Sequence, residues 1–132
     1  MKVAIIGCGA VGSLFAANLA QLDDVEVWAY DLSREHVDAI NEHGLRLSGA
    51  GDVVGRLRAT TDAAELPGCD FGIVATKAMH TDPAIAATAH AFVDGYVATV
   101  QNGLGNEEAI AEFVPNVIRG TTFPAGKILA PG

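Results

Sequence analysis

Lys2-Val3-Ala4-Ile5-Ile6-Gly7-Cys8-Gly9-Ala10-Val11-Gly12 reads as a strand, a turn and the opening of a helix. Val3 to Ile6 is a short continuous apolar run, the pattern of a strand buried on both faces. Val11, Leu14, Phe15, Leu19 and Leu22 then recur at helical spacing. Between the two lies a G-x-G-x-x-G, and each glycine in it has a mechanical task. Gly7 permits the tight turn out of the strand. Gly9, lacking Cβ, lets a diphosphate approach the backbone, and Gly12 lets helix and strand pack closely. The anion would rest on the helix N-terminus, where free N–H groups and the dipole favour it. Gly7, Cys8, Gly9, Ala10, Val11 and Gly12 are therefore candidate dinucleotide-binding residues. The uncharged stretch 3–20 behind Lys2 also has the outline of a signal peptide or a marginal membrane span. Its three glycines, each costing a helix about 1 kcal/mol relative to alanine, argue against that.

The same alternation continues along the chain. Residues 25–30, 71–75 and 96–100 read as strands, and Val117 opens a last one running towards Thr122. Ser33 can cap a helix that Gly44 stops, and residues 83–93 and 107–113 read as further helices. Leu45-Arg46-Leu47 and residues 53–58 alternate apolar with polar around Gly49-Ala50-Gly51-Asp52, which predicts a hairpin rather than a crossover helix. Thr61 reads as the cap of a short helix over 62–65 that Pro67-Gly68 ends. The pattern predicts an α/β fold: a Rossmann-type doubly wound parallel sheet with helices on both faces and a small hairpin excursion around residues 45–60. The length of 132 residues suits one dinucleotide-binding domain spanning 1–132.

Eight Lys+Arg against 16 Asp+Glu give a net charge of −8, and half of the residues are hydrophobic. The pI is about 4.7 and the mean hydropathy +0.30. Such a chain fills a core, and with no basic patch it is not expected to bind nucleic acid or a membrane. Cys8 and Cys69 are too few for a disulfide scaffold and lack zinc spacing, so they read as small buried hydrophobes of a cytoplasmic protein. His36, His43, His80 and His90 form no ligand constellation and read as surface histidines, with no metal expected. Trp28 reads as packing between sheet and helix.

Asp31 ends the second strand nineteen residues past Gly12, close to the roughly 20 expected for a ribose-binding carboxylate. A carboxylate there accepts from ribose hydroxyls and repels a 2′-phosphate, which leans towards NAD over NADP. Arg34 either swings over the adenosine end to hold a phosphate or is simply solvated. In a sheet of order 3-2-1-4-5-6 the first, fourth and fifth strands lie side by side, and ligands bind beyond their carboxyl ends. The glycine loop, Thr76-Lys77 and Gln101-Asn102-Gly103 should therefore meet. Thr76, Lys77 and Asn102 become candidate cofactor-binding residues. Lys77 and Asn102 are also candidate catalytic residues, as donors suited to a carbonyl or carboxylate substrate. The plainer readings are a surface lysine starting a helix and an Asn-Gly turn.

The opening segment 2–12 resembles the amino-terminal part of ketopantoate reductases (2-dehydropantoate 2-reductases). So do His36-Val37-Asp38-Ala39-Ile40-Asn41 with Gly44-Leu45-Arg46-Leu47, and Val74-Ala75-Thr76-Lys77-Ala78. The likeness continues through Gln101-Asn102-Gly103-Leu104-Gly105-Asn106-Glu107-Glu108 and Arg119-Gly120-Thr121-Thr122. The resemblance implies NAD(P)H-dependent reduction of 2-dehydropantoate to pantoate, towards pantothenate and coenzyme A. It implies that Gly7, Gly9 and Gly12 hold the pyrophosphate, that Lys77 and Asn102 line the nicotinamide–substrate end, and that Thr121 and Thr122 lie near the same cleft. Members of the family usually prefer NADPH and carry a basic residue where this chain has Asp31. They also have a carboxy-terminal helical domain supplying a proton-donating lysine and a glutamate that grips the substrate hydroxyls. The 132 residues are thus expected to be part of a longer protein, to bind dinucleotide without turning over alone, and to expose apolar surface able to drive homodimerisation. The alternatives are a reductase of another branched 2-oxo acid and a non-catalytic NAD(P)-sensing module.

Overall fold

The computed structural model describes residues 1–49 and 51–132. The elements follow as β1 (Lys2–Ile6), α1 (Ala10–Leu19), β2 (Glu26–Tyr30), α2 (Arg34–His43), β3 (Leu45–Leu47) and β4 (Val53–Gly55). Then come β5 (Arg58–Thr60), β6 (Phe71–Val74), α3 (Thr81–Thr88), β7 (Tyr96–Thr99), α4 (Asn106–Ala111) and β8 (Val117–Arg119). Six strands form one sheet in the order β5-β2-β1-β6-β7-β8. All of its pairings are parallel. With β3 and β4 set aside this is the 3-2-1-4-5-6 order of a Rossmann sheet.

The continuous apolar runs have their expected cause. Val3 and Ile5 of β1 pack with Val27 and Ala29 of β2 against Ala16, Ala17, Val37 and Ile40 of α1 and α2. Their neighbours Ala4 and Ile6 point the other way, into a cluster with Val74, Ile85, Phe92, Val97 and Ile110. Successive strand side chains alternate faces, so a sheet covered on both faces needs an apolar residue at every position. The helix ends are equally local in origin. The Ser33 side chain accepts from the His36 N–H at 3.4 Å, and Gly44 closes α2 at φ 85°. No described helix is long and apolar enough to cross a membrane.

The hairpin is shorter than the alternation suggested. β3 and β4 pair antiparallel, with Leu45 opposite Gly55. Residues 58–60 leave it and join the main sheet as its edge strand beside β2. Asn41 explains the switch: its amide accepts from Ala59 N at 2.9 Å and donates to Ala59 O at 2.8 Å, acting as a strand neighbour on that edge. The expected 49–52 turn includes Ala50, which lies outside the described residues. The short helix before Pro67 is a single 3₁₀ turn, Ala63–Glu65, capped by Asp62 rather than Thr61. The helix expected over 83–93 begins earlier, at Thr81, and tightens into a 3₁₀ turn, Ala89–Phe92. Three histidines are exposed, but His36 is buried, because its face of α2 turns towards the glycine loop. Trp28 is half-buried against the second cluster, with the Arg58 guanidinium 5.3 Å from its ring centre.

Both cysteines are buried and free. Burial pushes the Cys8 thiol from 9.0 up to about 12, with the Ser13 hydroxyl opposing the shift and the Asp31 charge adding to it. Burial likewise raises Cys69 to about 11. Below pH 9 the thiols are protonated whether the chain is folded or not. As pH rises from there towards the folded values, the unfolded chain ionises first and stability is lost. Replacing Cys8 by alanine is expected to flatten the decline of the urea midpoint as pH rises from 9.0 towards about 12. Midpoints that fall in parallel for the two chains would contradict this.

Candidate functional site

β1, β6 and β7 lie side by side, and beyond their carboxyl ends opens a cleft of about 800 Å³. One wall is the loop Gly7, Gly9, Ala10 and Val11, continued by Tyr30, Asp31 and Leu32 at the end of β2. The opposite wall is built from Thr76 and Lys77 after β6 and from Gln101 and Asn102 after β7, with Thr122 beside them.

The glycine loop is held by contacts that tolerate no other residue. A Cβ on Gly12 would lie 2.0 Å from the Gly7 carbonyl oxygen. Gly7 itself sits at φ +89°, where a Cβ would meet the Thr76 backbone nitrogen at 2.9 Å. Gly9 differs, since nothing lies within 4 Å of the position its Cβ would take. That open volume borders the cleft, so the fold itself does not require glycine there. No side chain caps α1 at Gly9. The amides of its first turn have no carbonyl within the helix to reach, the arrangement that suits an anion.

Asp31 ties this loop to the end of β2. Its Oδ2 accepts from Cys8 N at 2.8 Å and its Oδ1 from Ser33 N at 2.9 Å. Each carboxylate oxygen keeps a further lone pair, and the residue borders the cleft.

The far wall stands on a buried polar clamp. The Gln101 amide donates to Thr76 O at 2.8 Å and to Thr81 Oγ1 at 2.8 Å, and its Oε1 accepts from Thr99 Oγ1 at 3.0 Å. Thr81 passes the chain to Asn106 Oδ1, and Asn106 Nδ2 donates to the Asn102 carbonyl, each at 3.3 Å. No buried side-chain nitrogen or oxygen among the described residues is left without a partner. The clamp fixes the backbone beside Lys77 and Asn102 while both side chains remain exposed on the cleft. Neither side chain has an ion pair or hydrogen bond among the described residues.

Of the residues expected at the site, Gly7, Gly9, Ala10, Val11, Asp31, Thr76, Lys77 and Asn102 line one cleft. Cys8 and Gly12 lie buried behind it. Arg34 is not in the lining, and its guanidinium donates to Thr61 Oγ1 at 3.3 Å. Thr122 borders the cleft, whereas Thr121 does not. The sequence places Gln101 only within the segment expected to meet at the cleft, and its clamp with Thr81 and Asn106 was not foreseen. The only local signal was a polar Thr99 at the end of an apolar strand. Among the described residues no group of three His, Cys, Asp or Glu could hold a metal ion.

The two glycine requirements should separate in the laboratory. Gly12→Ala is expected to lower stability by about 1–3 kcal/mol or more, because backbone must move. Gly9→Ala should leave the urea midpoint within about 0.5 kcal/mol of the parent. Equal losses in the two variants would refute the assignment.

Comparison with known proteins agrees with this geometry. The family model for ketopantoate reductase PanE/ApbA matches residues 3–132. A 2-dehydropantoate 2-reductase of Pyrococcus abyssi is 39% identical over 133 residues, covering 100% of this chain and 43% of the relative. A PanE/ApbA family ketopantoate reductase from Ralstonia eutropha superposes with a TM-score of 0.90 at 30% identity, over 99% of this chain and 44% of the other. D-mandelate dehydrogenase, in a ternary structure with NADH and anilino(oxo)acetate, superposes with a TM-score of 0.85 at 32% identity, again over 99% and 44%. The chain thus spans less than half the length of the relatives it matches. By fold, cleft and sequence together, it belongs to the ketopantoate reductase family.

Proposed function

We propose that these 132 residues are the dinucleotide-binding part of a 2-oxo acid reductase, with 2-dehydropantoate as the substrate and NADH preferred over NADPH. One observation carries the reading. A single cleft combines bare backbone at Gly9 with the unpaired side chains of Lys77 and Asn102. The donor set fits a nicotinamide dinucleotide, since a Cβ at Gly9 would fill the cradle and uncapped amides face an anion. A bound nicotinamide supplies hydride. The protein's part is to hold the oxo acid against the hydride-bearing face. The Lys77 ammonium and the Asn102 amide donate to its carbonyl and carboxylate oxygens where negative charge develops. A proton donor belongs, by likeness to the family, to the part of the relatives' length that this chain does not span. Alone it should bind dinucleotide without turnover.

The cofactor preference rests on Asp31. Its charge lies at the end of β2, where a 2′-phosphate would be repelled, and Arg34 is engaged with Thr61. The likeness to a dehydrogenase solved with NADH and anilino(oxo)acetate supports the same preference. It also favours, as the second reading, a different 2-oxo acid substrate. A pure sensor has no use for Lys77 and Asn102 standing free at the cleft.

Titration of nicotinamide fluorescence should give NADH a Kd at least about tenfold below that of NADPH, equivalent to about 1.4 kcal/mol. Asp31→Asn should narrow the ratio. A preference for NADPH would overturn the cofactor assignment, and binding of neither would overturn the reading as a whole. Sustained NADH oxidation by the 132-residue chain with 2-dehydropantoate would show that the proton donor lies within it.

A further inference from the structure

His36 is buried, and the chemistry above does not use it. Both of its ring nitrogens are engaged. Nδ1 lies 2.9 Å from Gly132 N, and a backbone N–H can only donate, so Nδ1 is bare and the ring proton is on Nε2. Nε2–H then donates to the Cys8 carbonyl at 2.9 Å. The Ser13 hydroxyl donates to that same oxygen at 3.1 Å. Two buried donors from two helices therefore converge on one carbonyl in the middle of the glycine loop.

The peptide that carries this carbonyl also carries the Gly9 N–H. No cis bond occurs among the described residues, so the two groups point in opposite directions. With the oxygen drawn inward by His36 and Ser13, the Gly9 N–H is turned outward, and Gly9 borders the cleft. Among the described residues it has no backbone acceptor. Glycine offers little steric resistance to rotation of this peptide. Rotated, it would present a carbonyl oxygen to the incoming diphosphate and leave two buried donors unpaired, which is costly.

We infer that His36 is a positioning residue for cofactor binding: with Ser13 it locks the Cys8–Gly9 peptide so that the Gly9 N–H faces the diphosphate. This deepens the dinucleotide reading and rests on it. The lock is a property of the free protein, however, and is measurable without cofactor.

The test uses the 132-residue chain labelled with ¹⁵N, as wild type and as H36L, H36Q and S13A. Leucine removes the donor, whereas the glutamine amide can still reach the carbonyl. H36L should weaken NADH about tenfold, and S13A about threefold. H36Q should recover affinity to within about threefold of wild type, a rescue that a packing role would not produce. Without ligand, the Gly9 amide resonance should move or split in H36L and stay in place in H36Q. If H36L does not fold, H36N, whose shorter amide falls short of the carbonyl, takes its place. A folded H36L with wild-type affinity, or with an unmoved Gly9 amide, would overturn the inference. A wild-type chain that binds neither NADH nor NADPH refutes the dinucleotide reading instead, and the ligand-free Gly9 resonance still judges the lock.

Discussion

The first helix stands as close to the first strand as it does because Gly12 has no Cβ, and the loop stands as close to the end of β6 because Gly7 has none. The 2.0 Å between the Gly7 oxygen and a hypothetical methyl on Gly12 leaves no slack that side-chain motion could absorb. From that contact the rest follows. The start of α1 is brought over the carboxyl ends of β1 and β6, its unpaired amides open towards the same space as the ends of β6 and β7, and a cleft results. A helix displaced by even one methyl would carry those amides away from the wall that presents Lys77 and Asn102.

The two walls solve different problems with different materials. The loop side is main chain, and its orientation is set by Asp31 at the edge of the cleft, on the Cys8 N–H, and by Ser13 and His36 behind it, on the Cys8 carbonyl. The opposite side presents side chains, and the backbone that carries them is fixed by Gln101 beneath it. In both cases a buried, fully satisfied polar residue holds an exposed, unsatisfied one. Such buried networks are costly to leave incomplete, which makes the arrangement they specify unique.

This division explains how much was legible in the sequence. Features that depend on spacing along the chain could be read directly: the alternation of strand and helix, the glycine loop, Asp31 at the end of β2, and the meeting of Lys77 with Asn102 through the strand order. Features set by contacts between distant segments could not. His36 looked like one histidine on a solvated helix, because nothing local shows that Cys8 and Gly132 flank it. Arg58 to Thr60 looked like the tail of the hairpin, because Asn41, which holds that edge, lies on the preceding helix. Gln101 was visible only as a neighbour of Asn102, since its partners Thr76 and Thr81 are at least twenty residues away.

The net charge of −8 opposes an anionic ligand, and the sheet resolves the conflict by placement. Asp23, Asp24, Glu26 and Asp70 gather around the amino end of β1, where Lys2 N donates to the Asp70 carboxylate. The cleft lies at the other end. Five residues of β1 at about 3.3 Å each put roughly 15 Å between the two, beyond the ~8 Å over which charges act through physiological salt. The cleft itself is lined by the start of α1 and by Lys77, with Asp31 as the one carboxylate among the described lining residues. Asp31 sits at the end of β2, where its carboxylate accepts from Cys8 N and Ser33 N. The acidic surface therefore stands apart from the cleft, whose lining keeps Asp31 as its single carboxylate.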